Sequence, residues 1–439
     1  MKRRDFINHI GASALSLAVL HEAFAHDDDD DRVKNVPVTI PTNTGVSGRV
    51  IVVGGGMAGT TAAKYSRLWG GVDVDVTLVE PNAVYYSNIF SNMVLTGERT
   101  LNQITFNYNT LISKYGVKLE TSAVTNIDPI GKNVHLGNGK TLAYDRLILA
   151  PGIDFDPLPL SGTADNQAKI LHAWKAGAQT TALKAQIQSM TKKDTFIMTI
   201  PPKPYRCPPG PYERACVVAD YLKRVKGGGK VIILDANPGI QAQPTNFTNA
   251  FNNTHKGIIT YVPGATINSI DANTGTVNTA VGSFNGKVIN AIPTHKAGSL
   301  ITQSGIGLAN AGGGRWAGVN VLSYESTSVP NVHIIGDASS TTQPKAGHIA
   351  NAEAKVCVDA IIRLFRGDTL NQAPITNSSC FTPITKTTAS WLSVVFRYDP
   401  ATATMLPTGK GVVESSGASK DFHEDMLKWF DNLMSDTFA

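Results

Sequence analysis

The 439-residue sequence predicts an α/β protein of two Rossmann-like dinucleotide-binding-type domains followed by a small C-terminal α+β domain. Three observations lead there. A β-branched run, Val50-Ile51-Val52-Val53, enters a glycine-rich turn, a helical stretch and a second strand. A strand–turn–helix–strand order recurs between Thr195 and Leu234. Two more apolar runs, Leu147 to Ala150 and Val332 to Ile335, close on Pro151-Gly152 and Gly336-Asp337. Continuous apolar runs of this length suit parallel strands covered on both faces.

The N-terminal residues read as an address. Lys2, Arg3 and Arg4 precede an uncharged stretch, Ile10 to Leu20, and the small-residue pattern Ala23-Phe24-Ala25. Segment 1–25 therefore has the parts of an export signal, and Arg3-Arg4-Asp5-Phe6 is similar to the twin-arginine type. Its apolar run is shorter than the about twenty residues a bilayer requires. No later stretch reaches transmembrane length, so the expectation is a soluble periplasmic protein. Asp27 to Asp31 follow; five adjacent like charges repel and solvate, so residues 26–47 read as a disordered leader and no metal site is assigned. Composition excludes other classes. A chain with 42% hydrophobic and 17% charged residues is no disordered polyelectrolyte, and a dispersed net charge of +5 does not suit nucleic acid.

From residue 48 the elements form a discontinuous domain, 48–163 with 283–374. Gly54, Gly56 and Gly59 occupy the G-x-G-x-x-G positions, where bare backbone lets a pyrophosphate approach a helix N-terminus. Glu80 ends the next strand, where a carboxylate can accept from an adenosine ribose. The later segments, Tyr144 to Gly152 with Ala150 at its turn and Val332 to Ala338, resemble flavoproteins with two dinucleotide-binding domains. That resemblance implies FAD, with Asp337 after Gly336 binding the ribityl chain. A helix from about Gly347 to Phe365 then points its positive end at the flavin, with Lys345 nearby.

The inserted domain, about 164–282, has a turn that reads Ile200-Pro201-Pro202-Lys203-Pro204-Tyr205-Arg206-Cys207-Pro208-Pro209-Gly210-Pro211. Prolines offer no N–H donors to a phosphate, so NAD(P)H is not expected to bind. Four cysteines, Cys207, Cys216, Cys357 and Cys380, suit a disulfide in an oxidising compartment, and no C-x-x-C-H haem motif is present. Cys207 lies before a helix, where the N-terminal dipole and Arg206 favour a thiolate. Cys357 falls inside a helix and reads as a small buried hydrophobe.

The segment Tyr205 to Cys216 closely resembles the flavoprotein subunit of flavocytochrome c sulfide dehydrogenase, within the sulfide:quinone reductase-like flavoproteins. Tyr85-Tyr86, Pro344-Lys345-Ala346-Gly347 and the region 375–439, which holds Cys380 and ends Asp436-Thr437-Phe438-Ala439, match it too. The resemblance implies a glutathione-reductase-like fold, sulfide as substrate and a c-type cytochrome subunit as partner. It implies a redox-active disulfide of Cys207 and Cys380, with Glu213 beside it as proton acceptor. A Cys207–Cys216 bridge stapling the loop to its helix is the alternative pairing. One departure stands out: Ser87-Asn88 occupies the place of the family's flavin-anchoring cysteine, so FAD is expected to be non-covalent, with Asn88 near its ring. Two other functions fit the same features, a sulfide:quinone reductase and a non-enzymatic flavin-binding partner of a cytochrome. The weakly amphipathic stretch Asp421 to Phe438 carries too many acids for anionic lipid, so it is expected to serve packing or a protein interface.

Overall fold

The computed structural model describes residues 38–439; the export signal and the aspartate run fall outside the described residues. The elements that build the site are, in chain order, β1 (Gly48–Val53), α1 (Met57–Gly70), β2 (Val74–Val79), α2 (Ser91–Thr96), β3 (Lys118–Glu120) and β4 (Arg146–Leu149). Next come β5 (Thr195–Ile200), α3 (Gly210–Tyr221), β6 (Lys230–Asp235), β7 (Ile259–Pro263) and β8 (Val288–Ala291). The chain then forms β9 (Val332–Ile334), α4 (Gly347–Arg366), β10 (Ile375–Thr385), β11 (Thr388–Asp399) and α5 (Lys420–Phe438).

The first sheet is eight-stranded, with β3–β2–β1–β4–β9 as its parallel core. Val50, Val52, Leu78, Leu147 and Ile148 are fully buried, which is why these runs show no polar alternation. Register brings four strand ends level: Val53 pairs with Val79 and Leu149, and Leu149 with Ile334. The Gly54 turn, Glu80, Ala150 and Gly336-Asp337 thus leave the sheet at one carboxyl edge, where open α/β sheets bind ligands.

The second sheet, β7–β6–β5–β8, is four-stranded and parallel. Because β8 pairs with β5, this unit runs past residue 282, the expected end of the insertion; the short apolar run Val288–Ala291 pairs locally with neither neighbour in sequence. The C-terminal unit pairs β10 with β11 in antiparallel fashion and lays α5 against them and α1. Phe430 stacks on Phe90 at 4.1 Å between centroids, and Phe438 on Tyr85 at 5.2 Å. The acids of α5 are partly spent inside the fold. Asp436 accepts from Tyr65 Oη at 2.5 Å, Asn351 Nδ2 at 2.8 Å and Lys355 Nζ at 2.8 Å.

Residues 40–47 differ from the expected leader. Val46 is buried in the core that β1 and α1 share, and Thr44 Oγ1 donates to Gly70 O at 2.6 Å. Ile40 packs against the same core and Pro41 O accepts from Val72 N at 3.0 Å, so a few contacts outweigh the polar composition around them. Among the described residues no helix is long and apolar enough to cross a membrane.

Candidate functional site

A cavity of about 980 Å³ opens at the carboxyl edge of the first sheet and reaches the N-terminus of α3. Its glycines have separate jobs. Gly54 has φ +104, and a Cβ there would strike the Ala150 carbonyl oxygen. A Cβ on Gly59 would strike the Gly54 carbonyl oxygen, so Gly59 packs α1 onto β1 and does not line the cavity. A Cβ on Gly56 would meet nothing closer than Tyr85 Cε2 at 3.7 Å; this residue keeps the cavity wall bare. Glu80 lines the cavity and also clamps the turn, accepting from Gly55 N at 2.7 Å and from Asn82 N and Nδ2 at 2.8 and 2.7 Å.

Gly336 and Asp337 form the opposite wall. Asp337 Oδ1 is buried with no hydrogen-bond partner, and desolvation raises its pKa against the pull of Arg206 and Lys345. An acceptor left over in a cavity wall suits a hydroxyl donor such as a ribityl chain carries, so these residues fit FAD. Gly347 and His348, the first turn of α4, also line the cavity, which directs the positive end of a 20-residue helix toward it.

Lys345 departs from expectation. Its side chain is not in the cavity wall: Nζ donates to Asp337 O at 2.9 Å and Ser339 O at 2.7 Å and stands 3.8 Å from the Trp316 ring centroid. Two backbone carbonyls and an aromatic face hold this cation, whose pKa burial lowers to about 8. Asn88 does line the cavity, but its Oδ1 is occupied by Ala176 N at 2.9 Å and Arg206 Nη2 at 3.3 Å.

Cys207, Glu213 and Cys380 meet in the same cavity. Cys207 has φ +59; its N donates to Lys345 O at 2.7 Å and its O accepts from Gly210 N at 2.9 Å. Gly210 must be small, since a Cβ there would lie 2.8 Å from Cys207 Sγ and 3.0 Å from Trp174. Cys380 sits on β10 opposite Leu392, and the preceding Ser379 N donates to His348 Nδ1 at 3.0 Å. All four cysteines are thiols here; Cys216 and Cys357 are fully buried and outside the cavity wall.

The thiolate expected at Cys207 is not favoured. Burial pushes this thiol well up, Cys380 and Glu213 add to the rise, and Arg206 only partly offsets them. The dipole reading ignored desolvation, which is the larger effect for this partly buried thiol. Burial likewise pushes Cys380 up to about 12. Glu213 is 8% exposed and therefore not a solvated first-turn acid; burial raises it to about 7 despite Asn92 Nδ2 donating to Oε1 at 2.8 Å.

Asn92 and Arg214 escaped the sequence reading. Asn92 Oδ1 accepts from Arg214 Nε at 2.8 Å, and Arg214 also donates to His172 O, Ala173 O and Asn290 Oδ1. The fully buried guanidinium locks α3 to α2 and β8, and Asn92 holds Glu213 from the far side. Asn92→Leu removes the neutral donor that stabilises the Glu213 carboxylate. Its pKa should then climb above about 7, read by carboxyl infrared titration against Glu213→Gln.

Residues 180–293 match the family model described as the central part of the sulfide dehydrogenase (flavocytochrome c) flavoprotein chain, and residues 48–192 that of pyridine nucleotide-disulphide oxidoreductases. Among curated proteins, the chain is similar to an assimilatory nitrate reductase electron transfer subunit of Bacillus subtilis, 33% identical over 26% of this chain and 15% of that protein. It is also similar to an NADH-rubredoxin oxidoreductase of Clostridium acetobutylicum, 29% identical over 35% of this chain and 38% of that one. The matches thus span well under half the length of these relatives. In fold it is similar to the sulfide:quinone oxidoreductase of Aquifex aeolicus, with a TM-score of 0.73 at 16% identity over 89% of this chain and 91% of the other. By these matches the chain is similar to pyridine nucleotide-disulphide oxidoreductases over residues 48–192 and to the flavoprotein chain of flavocytochrome c sulfide dehydrogenase over residues 180–293, on a fold like that of the Aquifex protein.

Proposed function

We propose that this chain is a periplasmic FAD-dependent sulfide dehydrogenase that takes electrons from sulfide through a Cys207–Cys380 disulfide and delivers them to a c-type cytochrome subunit. The observation that carries the reading is the meeting of Cys207, Cys380 and Glu213 in a cavity whose other wall suits a flavin nucleotide. Gly54, Gly56, Glu80, Ala150, Gly336, Asp337 and Gly347 are the residues that hold FAD, with Gly59 setting the turn behind them. FAD, when bound, supplies the acceptor for an electron pair and its release as single electrons.

The protein's own steps balance. Hydrosulfide attacks one sulfur of the disulfide, a new S–S bond forms as a persulfide on that cysteine, and the other sulfur leaves as a thiolate. Glu213, near neutrality in pKa, takes the persulfide proton. Desolvation makes the released thiolate basic and hence electron-rich; on loss of an electron pair to FAD, when bound, its sulfur would bond to the outer sulfur of the persulfide, leaving a trisulfide between Cys207 and Cys380 as the oxidised product. Anaerobic sulfide addition tests the reading, and cytochrome c against a quinone analogue separates the two acceptors; the Aquifex likeness favours the quinone as the second reading.

NADH is not a donor in this reading. The proline turn is one reason, and Asp235 at the end of β6 is another. It is fully buried and accepts from Tyr212 Oη at 2.7 Å, Tyr261 Oη at 2.9 Å, and Asn237 N and Nδ2 at 2.9 and 2.8 Å. No lone pair is left for a ribose. NADH and NADPH should leave the flavin absorbance unchanged in anaerobic mixing, and bleaching within seconds would overturn this.

Export and non-covalent FAD belong to the same proposal. The exported form should begin near His26 by intact mass, and acid precipitation should release yellow FAD from a colourless pellet. Retained residues 1–25, or flavin in the pellet, would contradict each in turn.

A further inference from the structure

Arg206 and Asp337 face one another in the cavity wall, each with one buried hydrogen-bonding atom to spare. Arg206 Nη1 stands 4.0 Å from Asp337 Oδ2, beyond hydrogen-bond range, while Nη2 donates to Asn88 Oδ1. Arg206 Nε and Asp337 Oδ1 are buried and have no partner. Native interiors rarely tolerate one such atom, and here a donor and an acceptor lie in the wall of one cavity. A bound cation would be repelled by the guanidinium and a bound anion by the carboxylate. A hydroxyl offers one proton and two lone pairs, so a neutral polyol segment can satisfy both atoms.

We propose that Arg206 is a second protein ligand, beside Asp337, of the hydroxyl-bearing segment of the bound flavin nucleotide, its Nε–H donating where Asp337 Oδ1 accepts. The inference rests on the flavin reading of the cavity but not on sulfide as substrate. It also ties the cofactor to the redox loop. Asp337 O accepts from Lys345 Nζ, Lys345 O accepts from Cys207 N, and Cys207 follows Arg206 in sequence. The bound polyol closes the one open link in that ring.

The test compares the full-length protein, FAD-free and FAD-loaded, as wild type, Arg206→Met, Arg206→Lys, Asp337→Asn and the Arg206→Met, Asp337→Asn double variant. Fluorescence titration should show FAD binding at least tenfold weaker in Arg206→Met. Arg206→Lys, with charge but no Nε–H, should recover only part. The double variant should bind no more weakly than the weaker single one, since both residues hold the same group. The FAD-free melting temperature of Arg206→Met should change little, because relief of an unpaired buried donor offsets loss of the Nη2 bond to Asn88 and of the charge beside Asp337, while the FAD-induced rise shrinks. A lower FAD-free melting temperature, or failure to fold, with unchanged FAD affinity in Arg206→Lys would make Arg206 a mere brace and overturn the inference. Losses that multiply in the double variant would overturn it as well. Tight, Arg206-dependent FAD binding in a protein that sulfide does not reduce would sink the proposed reaction and leave this inference intact.

Discussion

Cys207→Ser and Cys380→Ser should each keep FAD bound yet slow flavin reduction by sulfide on the order of 10³-fold, and the double variant should be no slower. The reason is chemical. A disulfide lets the incoming sulfur end as a persulfide on one residue while the other sulfur leaves, and neither cysteine can do this alone. Removing either therefore removes the whole unit. Cys216→Ser and Cys357→Ser provide the contrast, since both thiols are fully buried outside the cavity wall. They should affect stability by about 1–2 kcal/mol through an unpaired hydroxyl and leave the reduction rate within about twofold. Rapid-mixing absorbance reads all four. Were Cys216→Ser the slow one instead, the Cys207–Cys216 pairing would be the functional bridge.

Gly59→Ala and Gly56→Ala should separate folding from cofactor binding. The added Cβ at Gly59 collides with the Gly54 carbonyl oxygen, which is backbone and cannot swing aside. Helix α1 must then move off β1, at a cost of about 1–3 kcal/mol, and the turn loses the shape that admits a pyrophosphate. FAD affinity should fall by about a hundredfold or more, with a lower melting temperature even without FAD. At Gly56 the new methyl has room, its nearest neighbour being Tyr85 Cε2 at 3.7 Å. It should leave the FAD-free melting temperature unchanged and weaken FAD binding alone. Titration of both variants by flavin fluorescence, beside FAD-free thermal unfolding, checks the split.

The parts legible in the sequence were those that local pattern determines. Glycine spacing, Gly336-Asp337 and the β-branched runs point to a sheet edge without long-range knowledge, because strand register alone brings those turns level. Long-range partners were not legible. Asn92 and Arg214 are 122 residues apart, and nothing near either marks it as the other's partner. Lys345 is close to Gly347 in sequence, yet its side chain turns to Trp316 and two carbonyls. The direction of the Cys207 shift needed the cavity itself, since a dipole and a neighbouring arginine are visible in sequence but desolvation is not. Residues 40–47 show the same limit on a small scale: composition suggested a leader, yet Val46 is buried in the core and Ile40 packs against it.

The most direct measurement is anaerobic stopped-flow mixing of sulfide with the FAD-loaded protein while the flavin absorbance is followed between pH 6 and 9. Flavin bleaching should be fast. Because burial raises Glu213 to about 7, the ratio of wild-type to Glu213→Gln rates should rise as pH passes upward through that value and then level, as the carboxylate form becomes the proton acceptor. Taking the ratio removes the ionisation of sulfide itself. A flavin that stays oxidised under sulfide, or one that NADH bleaches faster, would contradict the proposed reaction at its root.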